Sequence, residues 1–200
     1  MKIIGLAGGS GSGKSSVCKL FSENGFAFIN TDEVYHELCS KKSPCLDELV
    51  SEFGESILNA DNSLNRAKLA EIVFAKNAEK KLKRLNEIAH FHVLAETERI
   101  ISTLPKDKYS GVLVDAPLLF ESGFNRKCEI IISVIADEKK RIARITERDG
   151  ISTEKAKLRI KNQISDEFLK ENSDFIIVND GDFNALRKSV DDISEKIKKS

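Results

Sequence analysis

Short apolar runs and helix-spaced apolar positions alternate along the 200 residues of this chain. Lys2-Ile3-Ile4-Gly5-Leu6-Ala7 is a run of strand length. It ends in Gly8-Gly9-Ser10-Gly11-Ser12-Gly13, a stretch too rich in glycine for regular structure. From Lys14 the spacing of Val17, Leu20 and Phe21 predicts a helix, with Gly25 as its stop. Phe26-Ala27-Phe28-Ile29 then reads as a second strand. A strand, turn, helix and strand within about 30 residues implies two parallel strands joined by a right-handed crossover.

Thr31-Asp32 opens another helix carrying Val34, Tyr35 and Leu38, and Ser43-Pro44 breaks it. From Cys45 to Leu104 the periodicity is helical throughout. Leu46, Leu49, Val50 and Phe53 mark one helix, which Gly54 ends. Asp61-Asn62-Ser63 is a turn, and Leu69, Ile72 and Val73 mark the next helix. Leu82, Leu85 and Ile88 mark a third, extending through Val93 and Ile100 to Pro105.

Strands return at 112–115, 130–135 and 175–178. Between the last two lie charged helices, Asp137 to Asp149 and Ser152 to Asn162. A final helix aligns Leu186, Val190, Ile193 and Ile197. Five strands alternating with helices predict an α/β fold, a five-stranded parallel sheet flanked by helices. The expected division is a core of residues 1–30, 106–137 and 172–200, a helical insertion of 31–105, and a helical lid of 138–171.

Composition narrows the field. Hydrophobic residues make up 40% and charged residues 32%, which is ordinary globular usage and argues against disorder. Thirty-two Lys and Arg balance 32 Asp and Glu, so the basic excess of a nucleic-acid binder is missing. No apolar run approaches the roughly 18 residues of a membrane span, and the first residues lack a secretory signal pattern. Cys18, Cys39, Cys45 and Cys128 form no C-x-x-C pair and have no zinc-finger spacing, so they read as buried or inert thiols in a reducing cytoplasm. A monomer is the expected state, with no membrane or nucleic-acid partner.

Gly8-x-x-x-x-Gly13-Lys14-Ser15 matches the Walker A pattern, following a predicted strand and opening a predicted helix. Glycines let the backbone curl around phosphate oxygens, so Gly11, Ser12, Gly13, Lys14, Ser15 and Ser16 are candidates to cradle a nucleotide triphosphate. The helix N-terminus adds partial positive charge there. Lys14 neutralises the terminal phosphates, and the Ser15 hydroxyl is a candidate Mg²⁺ ligand. Fragments of a Gly-x-Gly-x-x-Gly dinucleotide pattern overlap the same residues, with Asp32 about 20 residues on.

What accepts the phosphate is read from other residues. Asn-Lys-x-Asp, which would read guanine, does not occur. Asp32 follows the second strand and suits a general base for an acceptor hydroxyl, or a helix N-terminal acid favoured by the macrodipole. Asp115 ends the third strand, as a Walker B acid near Mg²⁺ or as a turn residue. Pro117, Leu118 and Glu121 lie on an apolar strand exit suited to an acceptor pocket. Arg141, Arg144 and Arg148 recur along one helix face, as a lid over the phosphates or as a solvated surface. His90 and His92 sit in the helical insertion without metal-like partners.

The whole chain resembles dephospho-CoA kinase. The resemblance rests on the segment Gly5 to Ser16, on Asn30-Thr31-Asp32, and on Leu69-Ala70-Glu71-Ile72-Val73-Phe74. It also rests on Leu85 to His90, on Asp115-Ala116-Pro117-Leu118-Leu119-Phe120-Glu121, and on Arg144, Arg148-Asp149-Gly150 and Gln163. Val178-Asn179-Asp180-Gly181 is similar to the family's last strand end. Asn30, Phe91 and Arg141 depart from the family pattern. The resemblance implies transfer of the γ-phosphoryl of ATP, with Mg²⁺, to the 3′-hydroxyl of dephospho-CoA, the last step of coenzyme A synthesis. It implies Asp32 as base, with Lys14 and Arg144 offsetting transferred charge. It further implies Arg148 and Asn179 near ATP, His90 facing the acceptor, and the insertion as the CoA lobe. A nucleoside or nucleotide kinase with the same core, and an ATP-binding sensor without transfer, remain the competing readings.

Overall fold

A computed structural model describes residues 1–200. The chain divides into two compact units, one of Met1–Ile29 with Pro105–Ser200, the other of Asn30–Leu104. Residues 138–171 belong to the first.

The first unit is built on a five-stranded parallel sheet in the order β2-β3-β1-β4-β5. The strands are β1 (Lys2–Ala7), β2 (Ala27–Asn30), β3 (Gly111–Asp115), β4 (Ile130–Ile135) and β5 (Phe175–Val178). β1 pairs in parallel with β3, Lys2 opposite Gly111 and Leu6 opposite Asp115, and with β4, Ile4 opposite Ile130. Continuous apolar runs such as Val112-Leu113-Val114 are buried, as strands of a sheet covered on both faces require. The second strand is displaced by one residue from the expected 26–29. Phe26 instead packs edge-on against Phe21 at 5.3 Å, ahead of the strand.

Helices α1 (Lys14–Glu23) and α9 (Phe183–Lys199) share one core with the sheet. Val17, Leu20 and Phe21 of α1 meet Leu186, Val190, Ile193 and Ile197 of α9, over Ile4, Leu6, Leu113 and Ile132. Each fully buried aliphatic or aromatic side chain contributes about 1.5–3 kcal/mol by area transfer. β1 is the central strand; from it the chain runs to β2 on one side, and from β3 it crosses to β4 on the other. Its carboxyl end is therefore the switch point at which open α/β sheets bind ligands.

α6 (Glu138–Asp149) and α7 (Thr153–Lys161) follow β4 as expected. α8 (Asp166–Glu171) was not expected. Ser165 caps it by accepting from the Phe168 N–H at 3.2 Å, but only Leu169 of its six residues is buried.

The second unit consists of α2 (Thr31–Ser40), α3 (Pro44–Phe53), α4 (Arg66–Val73) and the single 25-residue α5 (Glu79–Thr103). Asn30 caps α2, accepting from the Asp32 N–H at 2.9 Å. Ser43 caps α3 with Pro44 in its first turn, so the residues that end one helix start the next. Leu46, Leu49, Ile57, Leu69, Val73 and Ile88 form a core of its own.

Candidate active site

The segment after β1 is a loop shaped by glycine. Gly8 and Gly13 both have positive φ, 148° and 98°. A Cβ on Gly8 would lie 2.5 Å from the Val134 carbonyl, and one on Gly13 would lie 2.1 Å from Asn179 Nδ2. No side chain caps α1, whose first turn carries no acid. The first bonds of the helix run from the Ser16 and Val17 N–H groups to the Gly13 carbonyl, so the N–H groups ahead of them suit an anion.

Lys14 Nζ donates to the Gly8 carbonyl at 3.0 Å and lies 3.7 Å from the Asp115 carboxylate. The Ser12 hydroxyl is buried and makes no hydrogen bond. A buried hydroxyl carries a desolvation cost unless an acceptor arrives, and a phosphate oxygen is one. Cys18 on α1 is close enough to feel Asp115, but burial first and that charge second push its thiol up to about 12. It is a packed side chain and not a nucleophile.

The loop is also held from outside. Arg144 donates to the carbonyls of Gly11 at 3.0 Å and Asn179 at 3.1 Å. Asn179, itself buried, donates through Nδ2 to the Ser12 carbonyl at 2.7 Å. Arg141 donates to the Ser10 carbonyl at 3.0 Å, and Gln163 bonds Ser10 as well. Beside Gly8 and Gly9 opens a hollow of about 170 Å³ lined by Pro117, Leu118, Phe120, Glu121, Gln163 and Leu169, among others. Phe120, one of its lining residues, meets Phe168 edge-on at 5.1 Å.

A family model described as Dephospho-CoA kinase matches residues 2–185. The chain belongs to that family. It is 40% identical over 196 residues to the dephospho-CoA kinase of Fusobacterium nucleatum, covering 98% of each chain. It is 34% identical over 194 residues to that of Corynebacterium efficiens, covering 97% of this chain and 96% of the relative. Among solved structures it is similar to a dephospho-CoA kinase from Campylobacter jejuni, with TM-score 0.72 and 26% identity over 98% and 97% of the two chains. It also resembles a shikimate kinase from Acinetobacter baumannii, at TM-score 0.54 and 18% identity over 98% and 93%, which bears on the fold alone.

Against the dephospho-CoA kinase pattern, the structure gathers Gly11, Ser12, Gly13, Lys14, Asp115, Arg144 and Asn179 around one loop. Ser15 is exposed and Ser16 half-buried in the first turn of α1. Pro117, Leu118 and Glu121 line the hollow, all three at its exposed side. Asp32 is exposed in the first turn of α2, and His90 is half-buried on α5.

The expected arginine stripe is not a single functional face. Arg141 is 5% exposed and faces the loop's outer side, not a phosphate. Arg144 is half-buried. Arg148 points to solvent and pairs with Asp149 at 2.7 Å. Asp149 also takes Arg159, and the hydrogen bond from Arg148 contributes most to holding its carboxyl well below the usual range. Sequence reasoning missed Ser10, Asp166, Phe168 and Leu169. The Ser165-Asp166-Glu167 cap pattern signalled the helix that carries the last three.

Proposed function

We propose that the chain transfers the γ-phosphoryl of ATP to the ribose 3′-hydroxyl of dephospho-CoA, giving CoA and ADP. The observation that carries this is the loop at the switch point, with an uncapped helix start, a half-buried lysine and an unpartnered buried hydroxyl converging on one place. The family match selects the acceptor.

In the reaction a bond forms from the acceptor oxygen to the γ-phosphorus, and the bond to the β–γ bridging oxygen breaks. Asp32 takes the proton of the acceptor hydroxyl. Lys14 and the loop amides bind the phosphates. Arg144 exchanges one of its carbonyl partners, Gly11, Ser12 and Asn179, for a phosphate oxygen as charge spreads, since its planar fork suits either. Pro117, Leu118 and Glu121 contact the acceptor. His90 faces it from the helical unit. Arg148 and Asn179 serve ATP.

Mg²⁺ fits the donors present. Ser15 offers a hydroxyl and Asp115, half-buried beside Lys14, a carboxylate, both hard oxygen ligands. When bound, the ion would offset the negative charge of the ATP phosphates. The four free cysteines suit a reducing cytoplasm, and no helix is long and apolar enough to cross a membrane. We assign no further partner and place the enzyme as a monomer.

A coupled assay of ADP release with dephospho-CoA against a panel of nucleosides and nucleotides tests the acceptor. Turnover with dephospho-CoA alone is expected. Turnover with nucleosides and none with dephospho-CoA would overturn the reading.

A further inference from the structure

Two side chains from outside the phosphate loop, Arg141 of α6 and Gln163 of the α7–α8 connection, converge on one of its residues, Ser10. Gln163 accepts from the Ser10 N–H through Oε1 at 2.9 Å and donates through Nε2 to Ser10 Oγ at 3.0 Å. Arg141 donates through Nε to the Ser10 carbonyl at 3.0 Å and through Nη2 to the same Gln163 oxygen at 3.1 Å. Its third nitrogen pairs with Asp166 at 3.3 Å. Ser10 thus has its amide, its carbonyl and its hydroxyl all held by two side chains.

The packing leaves this arrangement little play. The Arg141 side chain is 6% exposed, and a Cβ on Gly9 would fall 2.1 Å from its Nη2. A buried guanidinium is tolerated only where its donors are satisfied, and here each nitrogen reaches an acceptor. Lysine cannot replace it, because one ammonium does not span three acceptors on the loop, the α7–α8 connection and α8. These contacts touch neither the anion side of the loop nor Lys14.

We propose that Arg141 and Gln163 are positioning residues that clamp Ser10, and through it hold the loop's amides in phosphate-binding geometry before ATP arrives. The clamp rests on the loop being the ATP site. It acts on ATP through preorganisation, since a loose tip must be ordered at the moment of binding.

The test compares Gln163→Leu, Gln163→Glu and Arg141→Lys with the wild-type enzyme and with Lys14→Ala. Readouts are KM for each substrate, kcat, calorimetric affinity for ATP alone, and hydrogen exchange at the amides of residues 9–13. Gln163→Leu and Arg141→Lys should weaken ATP by on the order of tenfold, from the loss of one or two partly buried hydrogen bonds. KM for dephospho-CoA should hold within about twofold on the same argument, and amides 9–13 should exchange faster. Gln163→Glu keeps the acceptor for Ser10 and Arg141 and should restore most of the ATP affinity. A merely structural lesion would instead lower kcat through a smaller active fraction and leave both KM values alone. Wild-type ATP affinity and loop exchange in Gln163→Leu, with ATP binding weakened in Lys14→Ala, would overturn the clamp and leave the loop assignment standing. Unchanged ATP binding in Lys14→Ala would remove the loop assignment, and the clamp with it.

Discussion

Lys14 and Asp115 form an ion pair 3.7 Å apart, with only 17% and 15% of their side chains exposed. The pair links the start of α1 to the end of β3, across the two strands β1 and β3 that register Leu6 opposite Asp115. Screening by water is weak at such a place, so each charge fixes the other. The lysine is thereby held against the Gly8 carbonyl, where incoming phosphates compete for it.

The first expectation concerns Asp115→Asn. The amide keeps the shape but loses the charge that Mg²⁺ would meet. The Mg²⁺ concentration for half-maximal turnover should rise by about tenfold, the order expected when a hydrogen-bonded charged ligand group is lost. Metal-free ATP binding should change far less. A Mg²⁺ titration of the kinase rate checks this, and an unchanged midpoint would remove Asp115 from the metal's surroundings.

Arg144 is bonded to Gly11 and Asn179 through its two terminal nitrogens. Arg144→Ala removes both the brace and the phosphate donor, and turnover should fall by about 100-fold, the range for one electrostatic donor in a transition state. Arg144→Lys should recover little, since an ammonium lacks the planar fork whose two separate nitrogens reach Gly11 and Asn179. Steady-state rates at saturating ATP measure it, and full activity in either variant would leave Arg144 as a structural brace only.

Gly13→Ala tests the shape of the cradle. Alanine there combines a left-handed φ of 98° with a Cβ 2.1 Å from Asn179 Nδ2. The loop or Asn179 must move, at a cost of about 1–3 kcal/mol in backbone strain alone. Thermal unfolding should show a lower Tm, and ATP should no longer raise it. An ATP-induced shift equal to that of the wild type would show that the glycine is dispensable.

In the helical unit, Glu48 accepts from His92 at 2.8 Å and from Arg84 at 2.9 Å. The His92 hydrogen bond is the largest cause holding the Glu48 carboxyl below its ordinary value, with Arg84 adding to it. A carboxyl depressed in the folded state stabilises above its unfolded value, about 4.3, and loses that contribution as pH falls through the folded value. Glu48→Gln should therefore lower Tm by at most a few degrees at pH 7, and the gap should close below about pH 4. Tm measured for both proteins across that range decides it. A gap that persists in acid would assign the effect to packing.

Much of the fold was legible because parallel strands read as unbroken apolar runs, as Val112-Leu113-Val114 does. Asn30 blurred one boundary by ending β2 and capping α2 at once. α8 escaped because six residues with a single buried leucine leave no periodic stripe. The loop was legible as a glycine pattern. Arg144 and Asn179 were legible beside it, but the contacts of Arg141 were not, since Gln163 and Asp166 lie 22 and 25 residues away and polar contacts at that range leave no mark on spacing. Spacings of three and four placed Arg141, Arg144 and Arg148 on one face, yet the helix buries the first and exposes the last.

Asp32→Asn bears most directly on the chemistry. The variant keeps the N-terminal position on α2 and loses only the ability to take a proton. Single-turnover transfer to dephospho-CoA, followed together with ATP affinity, is the decisive measurement. The account predicts ATP affinity near wild type and transfer slowed by at least ~100-fold, the range for loss of a general base. Transfer at the wild-type rate would contradict it.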